Sequence, residues 1–142
     1  MTGPPPREPG PRASFCGRTG ADGKLSWTYR QSDASNGSAN TYQKTLSLTD
    51  FVYEVKARVA TTPSGLHDAD PTWRYVDTTH FYGFDYGSGG MTGLWKYDGG
   101  WSWLTQNPAI TYTINTWYTF VITSSGTTQS VKVGSDVWTA TD

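Results

Sequence analysis

The stretch Gly93-Leu94-Trp95-Lys96-Tyr97-Asp98-Gly99-Gly100-Trp101-Ser102-Trp103-Leu104 reads as a tight β-hairpin carrying four large aromatics. Side chains alternate faces along a strand, so the loop length decides which of them share a face. A three-residue loop, Asp98-Gly99-Gly100 with Gly100 left-handed, pairs Tyr97 with Trp101 and Trp95 with Trp103. All four aromatics then share one face, and Leu94 falls opposite Leu104 on the other, where a core would lie. A two-residue loop puts Trp101 and Trp103 beside Leu94 and Lys96, leaving a lysine on the tryptophan face. The three-residue loop is preferred because it separates leucines from aromatics and keeps Lys96 near Ser102.

The rest of the chain is β-type as well. Strands are expected near Lys24–Gln31, Thr41–Leu46, Phe51–Ala60, His80–Tyr86, Met91–Tyr97, Trp101–Thr105, Tyr118–Ser124, Gln129–Val133 and Asp136–Thr141, with no sustained helical period. The clearest runs from Phe51 to Val59. Phe51, Tyr53, Val55, Ala57 and Val59 face one way, and Glu54, Lys56 and Arg58 the other, with Val52 the one apolar residue on that polar face. Short strands with single apolar faces call for two packed antiparallel sheets. Between Ala60 and Thr79 lies a long connection, of a length that is usually functional or disordered.

At 142 residues the chain holds one domain. Its 16% charged residues and net charge of -1 give no electrostatic reason to seek nucleic acid or an anionic membrane, and no apolar run is long enough to span a bilayer. Five of the eight prolines fall in the first eleven residues, so residues 1–20 are expected to be a Pro/Gly-rich leader or linker and 21–142 the folded domain. No export signal is visible. Cys16, the single cysteine, lies before the first convincing strand and is a free thiol or an intermolecular bridge. Asn36-Gly37-Ser38 matches the N-glycosylation pattern.

Asp50-Phe51-Val52-Tyr53-Glu54-Val55-Lys56-Ala57-Arg58, Phe81-Tyr82-Gly83-Phe84, Gly93-Leu94-Trp95-Lys96 with Gly99-Gly100, Trp117-Tyr118-Thr119-Phe120-Val121-Ile122 with Ser125-Gly126, and Val131-Lys132-Val133-Gly134 form an ordered set. In order and spacing, over roughly residues 24 to 138, the chain resembles the concanavalin A-like lectin/glucanase superfamily, especially its laminin-G-like bacterial modules. The resemblance implies a jelly-roll β-sandwich and an extracellular or cell-surface address. It names no ligand, because that superfamily spans lectins, glycosidases, lyases and adhesive modules. Its members continue past the position of Trp138 with strands that close the sandwich. Those closing strands are missing here, so either the fold is closed differently or a strand edge is left open to pair with another chain.

Catalysis is not favoured by the residues present. Glycosidases of that superfamily use two closely spaced glutamates, and the only glutamates here are Glu8 and Glu54, with Glu8 in the leader. Asp68, Asp70 and Asp85 are the aspartate substitutes, the first two in a hydrophilic loop. The lyase version needs a tyrosine and a histidine near a charge-neutralising group, which His80, Tyr82 and Arg74 supply by type. Yet His80 alternates with Tyr82 and Phe84 and reads as a partly buried structural histidine. His67, Asp68 and Asp70 could donate to calcium, which laminin-G-like relatives often hold, but their spacing matches no ligand motif. No cofactor is expected.

Glycan binding fits the inventory better. Pyranose rings stack their apolar faces on aromatic rings, and their hydroxyls need polar neighbours. Trp95, Tyr97, Trp101 and Trp103 would supply the platform and Asp85 a hydroxyl acceptor, while Trp73 and Arg74, after the long loop, would close one side. The expectation is a non-catalytic, lectin-like module that binds polysaccharide. The alternative is a structural or adhesive subunit that self-assembles through an open strand edge, and the third reading is a fragment of a glycoside hydrolase or lyase.

Overall fold

The structure, a computed structural model, describes residues 13–19, 25–31, 48–59, 70–87, 92–110 and 112–142. The chain divides into two compact units, Met1–Thr41 and Tyr42–Asp142. In the first, β1 (Ala13–Thr19) pairs antiparallel with β2 (Leu25–Gln31), Cys16 standing opposite Thr28. Cys16, expected before the first strand, lies within one. Ala13–Thr19 mixes small, polar and single apolar residues without alternation, so nothing in its pattern separates it from the proline-rich stretch before it.

The second unit contains β3 (Phe51–Ala57), β4 (Thr72–Asp77), β5 (His80–Asp85), β6 (Gly93–Asp98), β7 (Trp101–Gln106), β8 (Tyr118–Ser125), β9 (Thr128–Val133) and β10 (Asp136–Thr141). They form two antiparallel four-stranded sheets, ordered β10-β9-β8-β3 and β4-β5-β6-β7, with no helix among the described residues. The expected strand at Thr41–Leu46 and the Asn36 sequon lie outside the described residues, as do His67 and Asp68.

Alternation builds the first sheet. Phe51, Tyr53, Val55 and Ala57 turn inward while Val52, Glu54 and Lys56 are exposed, as the sequence pattern requires. Register aligns inward residues in rows across the sheet, among them Tyr53, Ile122, Val131 and Trp138. From the second sheet, Trp73, Phe84 and Leu94 meet them in one core. Phe84 sits edge-on to Trp138 at 4.8 Å and to Phe120 at 6.2 Å, so both sheets bury their apolar faces on each other. The result is a β-sandwich.

β4 lies within the stretch expected to be loop. Its register slips between Trp73 and Asp77, and Arg74 adopts φ +48°, so the strand lacks the period-two pattern by which strands are recognised. The Arg74 guanidinium donates to the backbone carbonyls of Thr49 and Gly126, both at 2.7 Å.

A polar contact lies deep in the core. Trp73 Nε1 donates to Gln129 Oε1 at 2.9 Å, and Gln129 is fully buried, with its Nε2 unpartnered among the described residues. Gln129→Leu removes the acceptor and leaves a buried indole N–H unsatisfied, so it should lower the unfolding free energy by about 1–3 kcal/mol in urea denaturation. In a cycle with Trp73→Phe the two losses should fall short of additive, because one hydrogen bond is shared.

Candidate aromatic platform

The hairpin has the three-residue loop. Trp95 pairs with Trp103, Lys96 with Ser102 and Tyr97 with Trp101, so the four aromatics occupy one face. Two details differ from expectation. The left-handed residue is Gly99 (φ +64°), not Gly100, and its N–H leaves the hairpin to donate to Thr79 O at 2.8 Å. The register also shifts after Trp95, so Leu94 pairs with Thr105 and Leu104 becomes the extra residue of a bulge, still packed against the core.

That face is the outer one, turned away from the sandwich core. Cross-strand register lays it out in rows: Phe81, Tyr97 and Trp101 in one, Gly83, Trp95 and Trp103 in the next, then Asp85, Gly93 and Gln106. Gly83 has no side chain, and the Trp95 indole lies over it, where a Cβ would overlap the six-membered ring. Trp95 Nε1 donates to Asp85 Oδ1 at 2.8 Å. Trp101 stacks on Trp95 at 4.0 Å with 24° between planes, and Trp103 meets Trp101 edge-on at 5.6 Å. Phe81 sits edge-on to Trp95, with Tyr97 and Tyr75 on either side of it at 5.7 and 5.6 Å.

The rings therefore differ in role. Trp95 is buried, 4% exposed, while Trp101 is 47% exposed with one face laid on Trp95. Tyr97 and Trp103 are half-buried.

The other candidates sit elsewhere. Asp85 does face away from the core, but at 2% exposure under Trp95 it positions that indole and is not an open hydroxyl acceptor. Trp73 points into the core, bonded to Gln129, because it lies on the inner face of β4. Arg74 is drawn to carbonyls beside the other sheet and closes no side of the platform. Phe81, Tyr75 and Gly83 belong to the face and were not picked out. A glycine inside Phe81-Tyr82-Gly83-Phe84 is the available signal, since a strand glycine marks a close approach.

His80 is exposed rather than part-buried, because it opens β5 at the rim between two turns. Its Nδ1 lies 2.9 Å from Asp77 Oδ1 and its Nε2 3.4 Å from Asp98 Oδ1. The lyase trio does not assemble: Tyr82 donates to Asp142 at 2.8 Å and Arg74 is engaged as above. Lys96 and Asp142 form an ion pair next to that tyrosine, which raises the ammonium pKa and lowers that of the carboxyl. No group of three His, Cys, Asp or Glu suited to a metal occurs among the described residues.

No protein-family model, no curated protein and no solved structure matches this chain. What the geometry of this face offers is flat apolar surface.

Two outcomes follow. Gly83→Ala forces Trp95 off its seat, so it should destabilise the unit by about 1–3 kcal/mol and erase the near-ultraviolet circular dichroism of the Trp95–Trp101 stack. Hydrogen bonds from the Thr79 hydroxyl, His80 and the Thr79 N–H hold Asp77 down from 3.8 to about 2. A lowered carboxyl pKa means the charged form is the one the turn binds, so this contribution is complete above 3.8 and fades as pH falls towards about 2. Carboxyl-detected NMR should place the Asp77 midpoint near 2, with Thr79 amide protection lost in the same interval.

Proposed function

We propose that this chain is a non-catalytic, lectin-like β-sandwich module that binds glycan on its outer aromatic face, outside the cell or at its surface. The observation that carries this reading is Trp101, a half-exposed indole whose orientation is set from beneath by buried Trp95, Gly83 and Asp85. A ring held in place loses little entropy when a sugar stacks on it. Tyr97 and Trp103 extend the surface. Stacking requires no cofactor, and Glu54, the one glutamate among the described residues, is exposed on the opposite sheet.

Placement in the concanavalin A-like, jelly-roll class belongs to the same proposal. Its support is the motif order, together with the pairing of the Phe51–Ala57 strand with the Tyr118–Ser125 strand, two segments that carry the resemblance. The surface address rests on that resemblance alone.

A second reading has an observation of its own. β3 and β10 end their sheet without bulges, and each exposes a valine, Val52 at 68% and Val137 at 58%. Edges that are regular among the described residues suit pairing with another copy, which favours the self-assembling subunit. β4 and β7, by contrast, are irregular.

Retention of the protein on insoluble polysaccharide should drop at least tenfold for Trp101→Ala/Trp103→Ala, and unchanged retention sinks the platform. Sedimentation velocity at rising concentration decides the second reading: ordered polymers support it, and a strict monomer removes it.

A further inference from the structure

We infer that the glycan site runs along β7 from the aromatic face into a groove beside β10, and that it takes an extended, neutral oligosaccharide. The inference rests on the glycan reading above and adds a second contact region and a ligand class to it.

A groove of about 280 Å³ lies where the end of β7 approaches β10, lined by Thr105, Gln106, Asn107, Asp136 and Trp138 among others. That is close to the lower limit for small-ligand sites, room for roughly one sugar ring. Its chemistry is that of hydroxyl recognition. Asn107 Oδ1 accepts the Ala109 N–H at 3.3 Å, which leaves its Nδ2 to donate. The side chains of Gln106 and Asp136 are exposed and make no hydrogen bond or ion pair among the described residues.

Continuity with the platform comes from the bulge at Leu104. Strict alternation after Trp101 and Trp103 would send position 106 to the inner face. The extra residue restores Gln106 to the outer one, opposite Gly93. Gly93 lets the β7 backbone pass close there, since a Cβ on it would overlap the Thr105 carbonyl oxygen and lie 2.9 Å from the Gln106 Cα. Trp101, Trp103 and Gln106 thus follow one another on one strand, and Gln106 is also a wall of the groove. From Trp101 to Gln106 the strand advances as far as β6 does from Tyr97 to Gly93, about 14 Å, which a single ring does not span.

Charge selects the class of chain. Asp136 is the charged residue in the wall of the groove. Among the described residues, the cations that could pair with a uronate or sulfate are committed elsewhere: Lys96 to Asp142, Arg74 to two carbonyls, Arg58 over the Trp117 ring at 5.1 Å. Lys56 and Lys132 lie on the far sheet. At the groove an anionic polymer would meet the Asp136 carboxylate with no compensating base among the described residues.

Affinity electrophoresis of the full chain through gels containing mixed-linkage β-glucan, xylan, glucomannan or polygalacturonate tests this. At least one neutral polymer should retard the protein and polygalacturonate should not. Gln106→Ala and Asp136→Asn, both exposed substitutions, should each weaken the retardation about fivefold to tenfold, with native near-ultraviolet circular dichroism retained. Stronger retardation by polygalacturonate overturns the ligand class. Wild-type retardation of both groove variants, with loss in Trp101→Ala/Trp103→Ala, overturns the extended site and leaves the platform standing. No retardation of the wild type by any of the polymers overturns both.

Discussion

The outer face of the β4–β7 sheet depends on a missing side chain. With hydrogen alone at Gly83, the Trp95 indole can lie against the backbone and reach Asp85 with its N–H. Both its apolar surface and its donor are then satisfied on a side of the sheet that would otherwise face water. Trp101 inherits a flat support, and Phe81 meets the Trp95 ring edge-on in the arrangement its quadrupole favours. Each such pair adds about 0.5–1.5 kcal/mol beyond the area it buries. The order visible at the surface is therefore imposed from below.

The inner faces obey a simpler rule. Each sheet has one apolar side, and the other sheet is what covers it. Phe84, Phe120 and Ile122 are completely buried there, each a contribution of roughly 1.5–3 kcal/mol. Gln129 interrupts this apolar interior at the row shared with Ser124, Phe51 and Ala140. Its partner Trp73 comes from the opposite sheet, so this buried polar contact helps fix how β4 lies over β9.

What could be read in advance followed from periodicity. The alternating faces of Phe51–Ala57, the hairpin loop and the shared face of its four aromatics all rest on a period of two, and that period is written in the residues. Where the period breaks, the reading failed: at β4, which slips register, and at Leu104, where a bulge displaces the expected Leu94–Leu104 pair. Burial was harder still. Asp85 reads as an open hydroxyl acceptor, but its cover by Trp95 depends on Gly83 two residues earlier and on a tryptophan across the sheet. Trp73 and Arg74 were joined to the site by proximity in sequence, whereas the sandwich sends one inward and the other to Thr49 and Gly126.

The Arg74 contact has a companion close by. Gly126 accepts from Arg74 through its carbonyl and donates its N–H to Asp50 Oδ1 at 2.7 Å, while Asp142 bonds the neighbouring Thr127 carbonyl through its own N–H and reaches Tyr82 and Lys96 with its carboxylate. One end of the sandwich is thus stitched by two kinds of thread. A guanidinium on neutral carbonyls keeps its charge at any pH a protein meets, whereas a carboxylate on an ammonium surrenders its own in acid. Acid therefore unpicks this end in order, the Asp142 carboxylate first, with the arginine stitch still holding β4 to the other sheet when that charge has gone.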